Sequence, residues 1–275
     1  MNKIFDCFMF NNEEKLLEIR FNVLNKFVDY IVIIESEETH SGNKKKTTFE
    51  IKKYPEFKEK IIYRKINSFP TNLNSWQKEN YQRNYISNCL KQAKEDDIVL
   101  ISDLDEIPNL KSVNFSNYNE KIIVFNQRLF FYKLNFGAKI SSWHGTRACQ
   151  KKFLKSPQWL RNLKTHKRYK FYRLDKLLFS SNYERNFKII NNGGWHFTWL
   201  GDLDFIKNKL KSFAHTELNN SIVNNDNYIK KCIDELKPIE IKQKIELTKL
   251  SINEINLPTY VVQNIDKYRS LLDFN

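Results

Sequence analysis

The sequence predicts an α/β domain in which helices flank a sheet with parallel strands. Short apolar runs of strand length alternate with segments of helical periodicity through the first hundred residues. The connections between them are short, as in the crossover units that place consecutive strands parallel. One apolar run, Ile98–Ser102, ends in two aspartates spaced one residue apart. Ligands bind at the carboxyl ends of such strands, so function is expected at this position.

The first half of the chain shows these elements in order. Leu16, Ile19 and Val23 are among the apolar residues that recur at helical spacing. The predicted elements are a strand at Lys3–Phe10, a helix at Glu13–Lys26, strands at Tyr30–Ile34 and Ile61–Ile66, a long helix at Trp76–Lys94 and a strand at Ile98–Ser102. Neither G-x-G-x-x-G nor G-x-x-x-x-G-K-[ST] lies between them, which excludes the usual dinucleotide-binding and NTPase motifs.

The second half of the chain has a weaker pattern. We predict strands at Lys121–Phe131 and Lys170–Leu174, an aromatic cluster within Asn191–Trp199 and an aspartate-capped helix at Asp202–Phe213. From Asp226 to Leu272 the pattern is helical and strongly charged. No flexible linker divides the chain, so we predict one catalytic domain over residues 1–225 with a helical extension over 226–275 packed on it.

Composition limits the partners and the compartment. The formal net charge of +14 favours a polyanionic partner such as nucleic acid, an acidic membrane surface or a phosphorylated small molecule. No helix-turn-helix, zinc-knuckle or RRM signature is present, so specific nucleic-acid binding is not predicted. Four cysteines without C-x-x-C spacing predict reduced, buried thiols. With no signal peptide and no membrane-spanning run, the expectation is a soluble, cytoplasmic protein, with peripheral contact to an acidic membrane as an open alternative.

The aspartate pair predicts a metal site. Ile98–Ser102 is too short for a helix and apolar on both faces, so it predicts a buried strand that ends at Asp103. With a period of two, Asp103 and Asp105 turn to the same side while Leu104 points into the core. Two such carboxylates can hold a hard divalent cation that a nucleotide diphosphate also chelates. The alternative is a loop in which each aspartate accepts hydrogen bonds from its own backbone.

Several motifs together resemble glycosyltransferase family 17, in the same order and with similar spacing from about residue 4 to residue 215. They are Asn12-Glu13, Leu16-Leu17-Glu18-Ile19-Arg20, Val28-Asp29, Glu35-Ser36, Thr39, Gly42, Arg83, Asp103-x-Asp105-Glu106-Ile107-Pro108, Arg128, Gly145 and Gly194-Trp195-His196. The resemblance implies a GT-A type fold, which is a Rossmann-like mixed sheet flanked by helices, here with a helical C-terminal tail. It also implies inverting transfer from a nucleotide sugar, UDP-N-acetylglucosamine in the animal member, with Mn²⁺ or Mg²⁺. The animal enzymes carry an amino-terminal membrane anchor and much extra length, which leaves Golgi residence and an N-glycan acceptor open.

The predicted metal ligands are Asp105, Asp103 and His196. Asp105 is expected to be the main ligand, and Asp103 to bind ribose or a metal-bound water. His196 follows two glycines and a tryptophan, where the backbone can approach a site closely, and imidazole suits manganese. Its alternative is a core histidine that is satisfied by backbone carbonyls.

Inverting transfer needs a general base near the acceptor hydroxyl, and four carboxylates are predicted for this role. Asp202 and Asp204 open a helix just after the aromatic cluster, and Asp204 matches an acidic family position. Asp202 has the alternative role of a helix cap. Glu106 and Glu217 are competing bases.

The remaining predicted contacts are with the donor. Arg20, Arg83 and Arg128 match family positions and are predicted to bind phosphate, with an ordinary salt bridge as the alternative. Glu35 is predicted to accept a hydrogen bond from ribose or uracil, although a polar strand end needs no function. Trp195, with Trp143 and Trp199, is predicted to stack on a sugar face, with core packing as the alternative.

The sequence therefore predicts a metal-dependent, inverting glycosyltransferase that acts on a glycan or a lipid-linked acceptor. Two rivals stay open at this stage. One is a metal-dependent nucleotidyltransferase or phosphotransferase, which also places carboxylates after a strand. The other is a catalytically inactive, basic nucleic-acid-binding protein. The sequence does not predict an oligomeric state.

Overall fold

The first half of the chain folds as a parallel sheet, as predicted. A computed structural model describes residues 2–111, 113–139, 143–165, 184, 186–212, 220, 222–239, 245–251 and 254–273. Strands β1 (Ile4–Met9), β2 (Tyr30–Ser36), β3 (Ile61–Ile66) and β4 (Ile98–Ile101) all pair in parallel, in the order β4-β1-β2-β3. Their carboxyl ends consequently lie along one edge of the sheet.

The second half makes the sheet mixed. Its strands are β5 (Glu106–Pro108), β6 (Ile122–Phe131), β7 (Phe136–Ala138), β8 (Trp143–Gln150), β9 (Phe187–Ile190), β10 (Gly194–Thr198) and β11 (Leu247–Lys249). Strand β8 lies between β4 and β6 and is antiparallel to both. Strand β10 pairs in parallel with β6 and antiparallel with β5, which brings the aromatic cluster next to the aspartate pair.

Helices flank the sheet: α1 (Glu14–Leu24), α2 (Ser75–Asn84), α3 (Pro157–Asn162), α4 (Leu203–Ser212), α5 (Asp226–Asp234) and α6 (Thr259–Gln263). The predicted long helix at Trp76–Lys94 is wrong beyond Asn84, where a 3₁₀ segment, Tyr85–Cys89, replaces it. This stretch contains Asn84, Ser87 and Asn88, whose short polar side chains compete for backbone hydrogen bonds and weaken an α-helix. The Asn84 side chain accepts a hydrogen bond from the backbone of Gln158 at 3.0 Å instead.

The central strands are apolar on both faces because both faces are covered. In β4, Ile98 and Leu100 pack in one buried cluster with α1, whereas Val99 and Ile101 pack in a second cluster. This alternation is the period-two pattern of a strand between two layers. All four cysteines are buried and free, as predicted. Within the described ranges, no helix is long and apolar enough to cross a bilayer.

The C-terminal segment departs from the predicted helical pattern over Asp226–Leu272. Helix α5 ends at Asp234, Leu236 takes a positive φ of 51° and Pro238 follows, so a helix cannot continue. Leu247–Lys249 is then a strand that pairs with β7. The predicted strand at Lys170–Leu174 lies outside the described residues. The predicted boundary at residue 226 stays a prediction, as does the cytoplasmic location.

Candidate functional site

A cleft of about 800 Å³ lies at the carboxyl edge of the parallel strands. The segments after β1, β2 and β4 form its floor, and one face each of α2, α3 and α4 form its walls. Its described lining includes the charged residues Glu13, Glu38, Lys45, Lys46, Glu79, Arg83, Asp103, Asp105, Arg161 and Lys209, together with His40, Trp76, Trp143, His196 and Trp199. The predicted location of function at this edge therefore coincides with a cavity large enough for a small-molecule ligand.

The aspartate pair lies on a loop that Arg20 holds from below. Asp103 and Asp105 line the cleft, while Leu104 between them is buried, as the period-two spacing predicts. The Arg20 guanidinium is fully buried and binds Asp6 through two bonds of 2.8 and 2.6 Å. Its Nη1 also donates to the carbonyls of Asp103, Leu104 and Glu106 at 2.9–3.1 Å. Arg20 thus anchors the loop to β1 and does not line the cleft.

Two arginines hold the Asp103 carboxylate from opposite sides. Arg83 of α2 binds one oxygen at 2.8 Å, and Arg161 of α3 binds the other at 2.7 Å. Burial alone would raise the pKa of Asp103, but the charges of Arg161 and Arg83 outweigh it and hold this pKa well below its usual range. Asp103 therefore stays ionised, and both arginines are fixed at the cleft wall.

The Asp105 carboxylate faces a lysine and a histidine. Lys209 of α4 binds one oxygen at 3.1 Å and also binds Glu13 at 2.8 Å. The Nε2 atom of His196 lies 3.6 Å from the other oxygen. Burial opposes charge at both Asp105 and Lys209, yet their mutual attraction lowers the pKa of Asp105 and raises that of Lys209. Burial raises the pKa of Glu13, the second carboxylate that shares this lysine.

Glu106 is enclosed beneath the cleft. It is fully buried, and its carboxylate accepts hydrogen bonds from the Trp143 indole at 2.6 Å, Arg161 at 2.7 Å and the backbone N–H of Asp103 at 3.1 Å. It does not belong to the described lining of the cleft. Through these hydrogen bonds Glu106 holds the Arg161 and Trp143 side chains in place.

Arg147 is a buried guanidinium behind this cluster. It lies on β8 opposite Ile101, and its Nε and Nη1 atoms have no hydrogen-bond partner among the residues that the structure describes. Burial, together with the charges of Arg161 and Arg83, lowers the pKa of Arg147 to about 9, although Glu106 and Asp103 partly oppose the shift. An unpaired buried charge costs stability.

Glu35 is buried at the end of β2 and does not line the cleft. Its oxygens accept hydrogen bonds from the backbone N–H groups of Thr48 at 2.8 Å and Phe49 at 3.2 Å, and from the Tyr63 hydroxyl at 3.0 Å. It therefore fixes the segment around Thr48, and Thr48 itself lines the cleft.

Four further predicted residues do not belong to the described lining of the cleft, although Asp204 is next to Phe205 and one helical turn before Asn208, which do. Arg128 and Trp195 line a second cavity, and the Trp195 indole donates to the Asn256 carbonyl. Asp202 caps α4 by accepting a hydrogen bond from the Phe205 N–H at 2.8 Å, which is the alternative role weighed for it. Asp204 is exposed in the first turn of that helix. Glu217, a further predicted base, lies outside the described residues.

Three charged residues that are central to the cleft were not among the predicted site residues: Glu13, Arg161 and Lys209. Glu13 was visible within the motif Asn12-Glu13, and Arg161 begins a basic cluster. Their partners are distant in the chain: Arg161 binds Asp103 across 58 residues, and Lys209 binds Asp105 across 104. No local pattern marks pairs of this kind.

Two side chains of the cleft, those of Asp105 and His196, could together hold a divalent cation, with the remaining ligands supplied by substrate and water. The free oxygen of Asp105 and Nε2 of His196 face each other at 3.6 Å, which provides one carboxylate and one imidazole. Both oxygens of Asp103 are already bound by arginines. Within the described part of the chain, no group of three or more His, Cys, Asp or Glu side chains is placed to hold a metal. Mg²⁺ is commonly bound by one or two carboxylates, with substrate phosphates and waters as the other ligands.

Comparison with known proteins gives a family and distant relatives. The model of the family described as Glycosyltransferase family 17 matches residues 1–275. The beta-1,4-mannosyl-glycoprotein 4-beta-N-acetylglucosaminyltransferase of Rattus norvegicus is 27% identical in an alignment of 123 positions that covers 41% of this chain and 23% of that protein. The protein of the same name from Mus musculus is 21% identical in an alignment of 295 positions that covers 98% of this chain and 54% of that protein. The chain thus spans about half of the mouse protein and less of the rat protein.

Proposed function

The chain belongs to glycosyltransferase family 17, and from this membership we propose that it transfers a sugar from a nucleotide-sugar donor to a glycan hydroxyl. The observation that carries the proposal is the cleft at the carboxyl edge of the parallel strands, where the aspartate pair meets three fixed cations. We also propose that the fold is of the GT-A type, which the parallel half-sheet that ends in this aspartate loop supports. The donor proposed is UDP-N-acetylglucosamine, since the names of the relatives specify transfer of N-acetylglucosamine.

The three cations suit a diphosphate. Arg83 and Arg161 are held by carboxylates on the cleft wall, and Lys209 lies on the opposite side next to Asp105. Because carboxylates already hold these three side chains in position, they need little reorganisation when negative charge develops on the leaving group. Guanidinium groups additionally match the geometry of phosphate oxygens.

A divalent cation, Mn²⁺ or Mg²⁺, is proposed to bind Asp105 and His196. When bound, it would supply Lewis-acid stabilisation to the diphosphate. Asp103, bound by two arginines, would keep those arginines in place and present its exposed edge to the donor ribose. Asp105→Ala is expected to abolish metal-dependent turnover while the fold is retained, and activity that persists in EDTA would contradict this role.

The proposed stereochemical course is inversion. The acceptor oxygen forms a bond to the anomeric carbon as the bond to the β-phosphate oxygen breaks, and a carboxylate removes the hydroxyl proton. We propose Asp204 as this base. It lies in the first turn of α4, and Phe205, Asn208 and Lys209 of the same helix line the cleft.

The base assignment has a matched control on the same helix. Asp204→Asn should lower kcat by at least about a hundredfold, the size of effect expected for general-base removal. Asp202→Asn should leave kcat close to that of the wild type, because asparagine caps a helix as well as aspartate does. Equal losses in both variants, or none in Asp204→Asn, would reject Asp204 as the base.

The acceptor is proposed to be a glycan. The names of the relatives specify a mannosyl-glycoprotein acceptor, so mannose-containing oligosaccharides are the first to test. A lipid-linked saccharide at an acidic membrane surface is the second candidate, which the net charge of +14 favours.

Product analysis tests the proposed reaction. The protein is incubated with MnCl₂ and UDP-N-acetylglucosamine, UDP-galactose or GDP-mannose, and free nucleoside diphosphate is measured. Release of UDP that depends on Asp105 supports glycosyl transfer. Pyrophosphate released from a nucleoside triphosphate, with no UDP from any sugar nucleotide, would favour the nucleotidyltransferase alternative.

A further inference from the structure

A second cavity, of about 320 Å³, is built separately from the cleft. None of the described residues that line it also lines the cleft. Strand β10 contributes to both: Gly194 and Trp195 line the second cavity, whereas His196 and Thr198 line the cleft. The volume falls at the lower end of the range for ligand pockets.

Carboxamide side chains dominate the lining of the second cavity. Five described lining residues carry them: Asn109, Asn126, Gln127, Asn192 and Asn256. The other described lining residues are Arg128, Ala138, Lys139, Gly194 and Trp195, so no carboxylate is among them. A carboxamide both donates and accepts hydrogen bonds, and a sugar hydroxyl does the same. A wall rich in these groups therefore matches a polyhydroxylated ligand better than an apolar one.

One of these amides has unused hydrogen-bonding capacity. The Oδ1 atom of Asn126 is buried and has no hydrogen-bond partner among the described residues. Leaving a buried acceptor unsatisfied costs stability, and rotation of the Asn126 amide toward the cavity that this residue lines would let a ligand hydroxyl donate to it. In contrast, the Gln127 amide makes two hydrogen bonds with Thr146: its Oε1 accepts from the Thr146 N–H at 3.1 Å, and its Nε2 donates to the Thr146 hydroxyl at 3.2 Å. Gln127 is therefore a fixed part of the cavity wall.

The wall is held rigidly by backbone contacts. The Gly193 N–H donates to the Asn126 carbonyl at 2.8 Å, and the Asn109 N–H donates to the Gly193 carbonyl at 2.8 Å. The Trp195 indole donates to the Asn256 carbonyl. Asn192 takes a φ of 52°, which asparagine tolerates, and this turn directs the chain into β10. A cavity fixed in this way loses little entropy when it binds a ligand.

The two cations of the second cavity already have partners. Arg128 donates to the Glu254 carbonyl at 3.3 Å, and Lys139 pairs with Glu246 at 3.0 Å. Hydrogen-bonding capacity, and not charge, is therefore what marks this cavity for a hydroxyl-rich ligand.

We propose that the second cavity binds a sugar unit of the acceptor glycan, remote from the unit that receives the transferred sugar. The inference rests on the proposed function, because the acceptor of a glycosyltransferase is itself a saccharide. Strand β10 links the two sites, so a glycan that reaches both would be positioned by the second cavity and glycosylated in the cleft. Trp195 and Arg128 then contact the acceptor.

Saccharide binding to the full chain tests this without requiring turnover. Mannotriose, N,N′-diacetylchitobiose and cellobiose are titrated by saturation-transfer NMR and calorimetry into the wild type and three variants. The double variant Asn126→Ala/Asn256→Ala removes two cavity amides, Asn227→Ala removes an exposed amide on α5 as a matched control, and Asp105→Asn alters the cleft. We expect at least one saccharide to bind the wild type, Asn227→Ala and Asp105→Asn alike, and to bind the double variant about tenfold or more weakly.

The contrary outcomes are distinct. Binding that survives in the double variant but is lost in Asp105→Asn would place the saccharide in the cleft and overturn the proposal, as would absence of binding for every saccharide. Should circular dichroism show that the double variant is unfolded, Asn192→Gly replaces it, because glycine accepts the φ of 52° and removes only the amide. UDP release by the wild type is scored separately, so failure of this proposal and failure of the proposed function can be told apart.

Discussion

Replacing Arg20 with methionine should destabilise the protein strongly although Arg20 does not itself line the cleft. Arg20 and Asp6 are 0% and 1% exposed, and they form a bidentate pair at 2.8 and 2.6 Å. Removing one partner of a buried ion pair leaves the other charge uncompensated, which costs about 3–5 kcal/mol. For a chain of this length, that loss should lower Tm by roughly 10 °C. Urea unfolding followed by circular dichroism measures the first quantity, and calorimetry measures the second.

A double variant separates the ion pair from the other bonds of Arg20. In Arg20→Met/Asp6→Leu no buried charge is stranded, so part of the lost stability should return. The carbonyls of Asp103 and Glu106 keep other donors, the Glu106 N–H and the Thr146 hydroxyl, each at 3.1 Å. The loop that carries Asp103 and Asp105 should still bind UDP more weakly than in the wild type, because its anchor is missing.

The matched control is Arg269→Met, which removes an exposed arginine whose carboxylate neighbour lies 3.9 Å away. Its unfolding free energy should change by less than about 0.5 kcal/mol. If Arg20→Met were as stable as this control, or if the double variant were no more stable than Arg20→Met, the reasoning about the buried pair would be refuted.

Three further predictions concern stability. Arg147→Met should raise the unfolding free energy by about 1–4 kcal/mol, since it replaces a buried guanidinium whose Nε and Nη1 atoms lack hydrogen-bond partners among the described residues; destabilisation in urea would contradict this. Gly194→Ala should lower Tm sharply, because Gly194 has a φ of +130° and an added Cβ would lie 2.1 Å from the Ile107 carbonyl; an unchanged Tm would be inconsistent with that geometry. Burial raises the pKa of Glu18, but hydrogen bonds from Lys267 and two tyrosines outweigh it and lower this pKa below 4.5. Ionised Glu18 therefore stabilises the protein above about pH 4.5, and this contribution is lost as the pH falls further. It amounts to no more than about 1 kcal/mol, because the group is partly exposed. Glu18→Gln should flatten the acid limb of the stability–pH profile, and an acid limb identical to that of the wild type would refute this prediction.

The parallel half of the fold was predictable because its signal is local. Strands β2 and β4 are short apolar runs whose ends are marked by charged or polar residues, and burial on both faces makes each run continuous. The same reasoning placed Asp103 and Asp105 in the cleft and Leu104 in the core. The helix at Trp76–Lys94 was wrong in its second half because tertiary contacts, including that of Asn84 with Gln158, ended it.

The roles of the arginines were less predictable because they depend on pairs far apart in the chain. Arg20 and Arg83 both match family positions, yet Arg20 points at Asp6 beneath the loop while Arg83 reaches Asp103 at the cleft wall. Arg128 lies on β6 beside Trp195 of β10, and this register places both in the second cavity. A sequence shows that an arginine is present, but the register of the strands decides which space it lines.

Binding of UDP with and without manganese tests the central claim most directly. UDP is titrated calorimetrically into the wild type and Asp105→Asn, each with MnCl₂ and with EDTA. We predict that Mn²⁺ tightens binding to the wild type by at least about tenfold, that this gain disappears in Asp105→Asn, and that weaker binding through Arg83, Arg161 and Lys209 remains in EDTA. Equal affinities with and without Mn²⁺ in the wild type, or an undiminished gain in Asp105→Asn, would contradict the account.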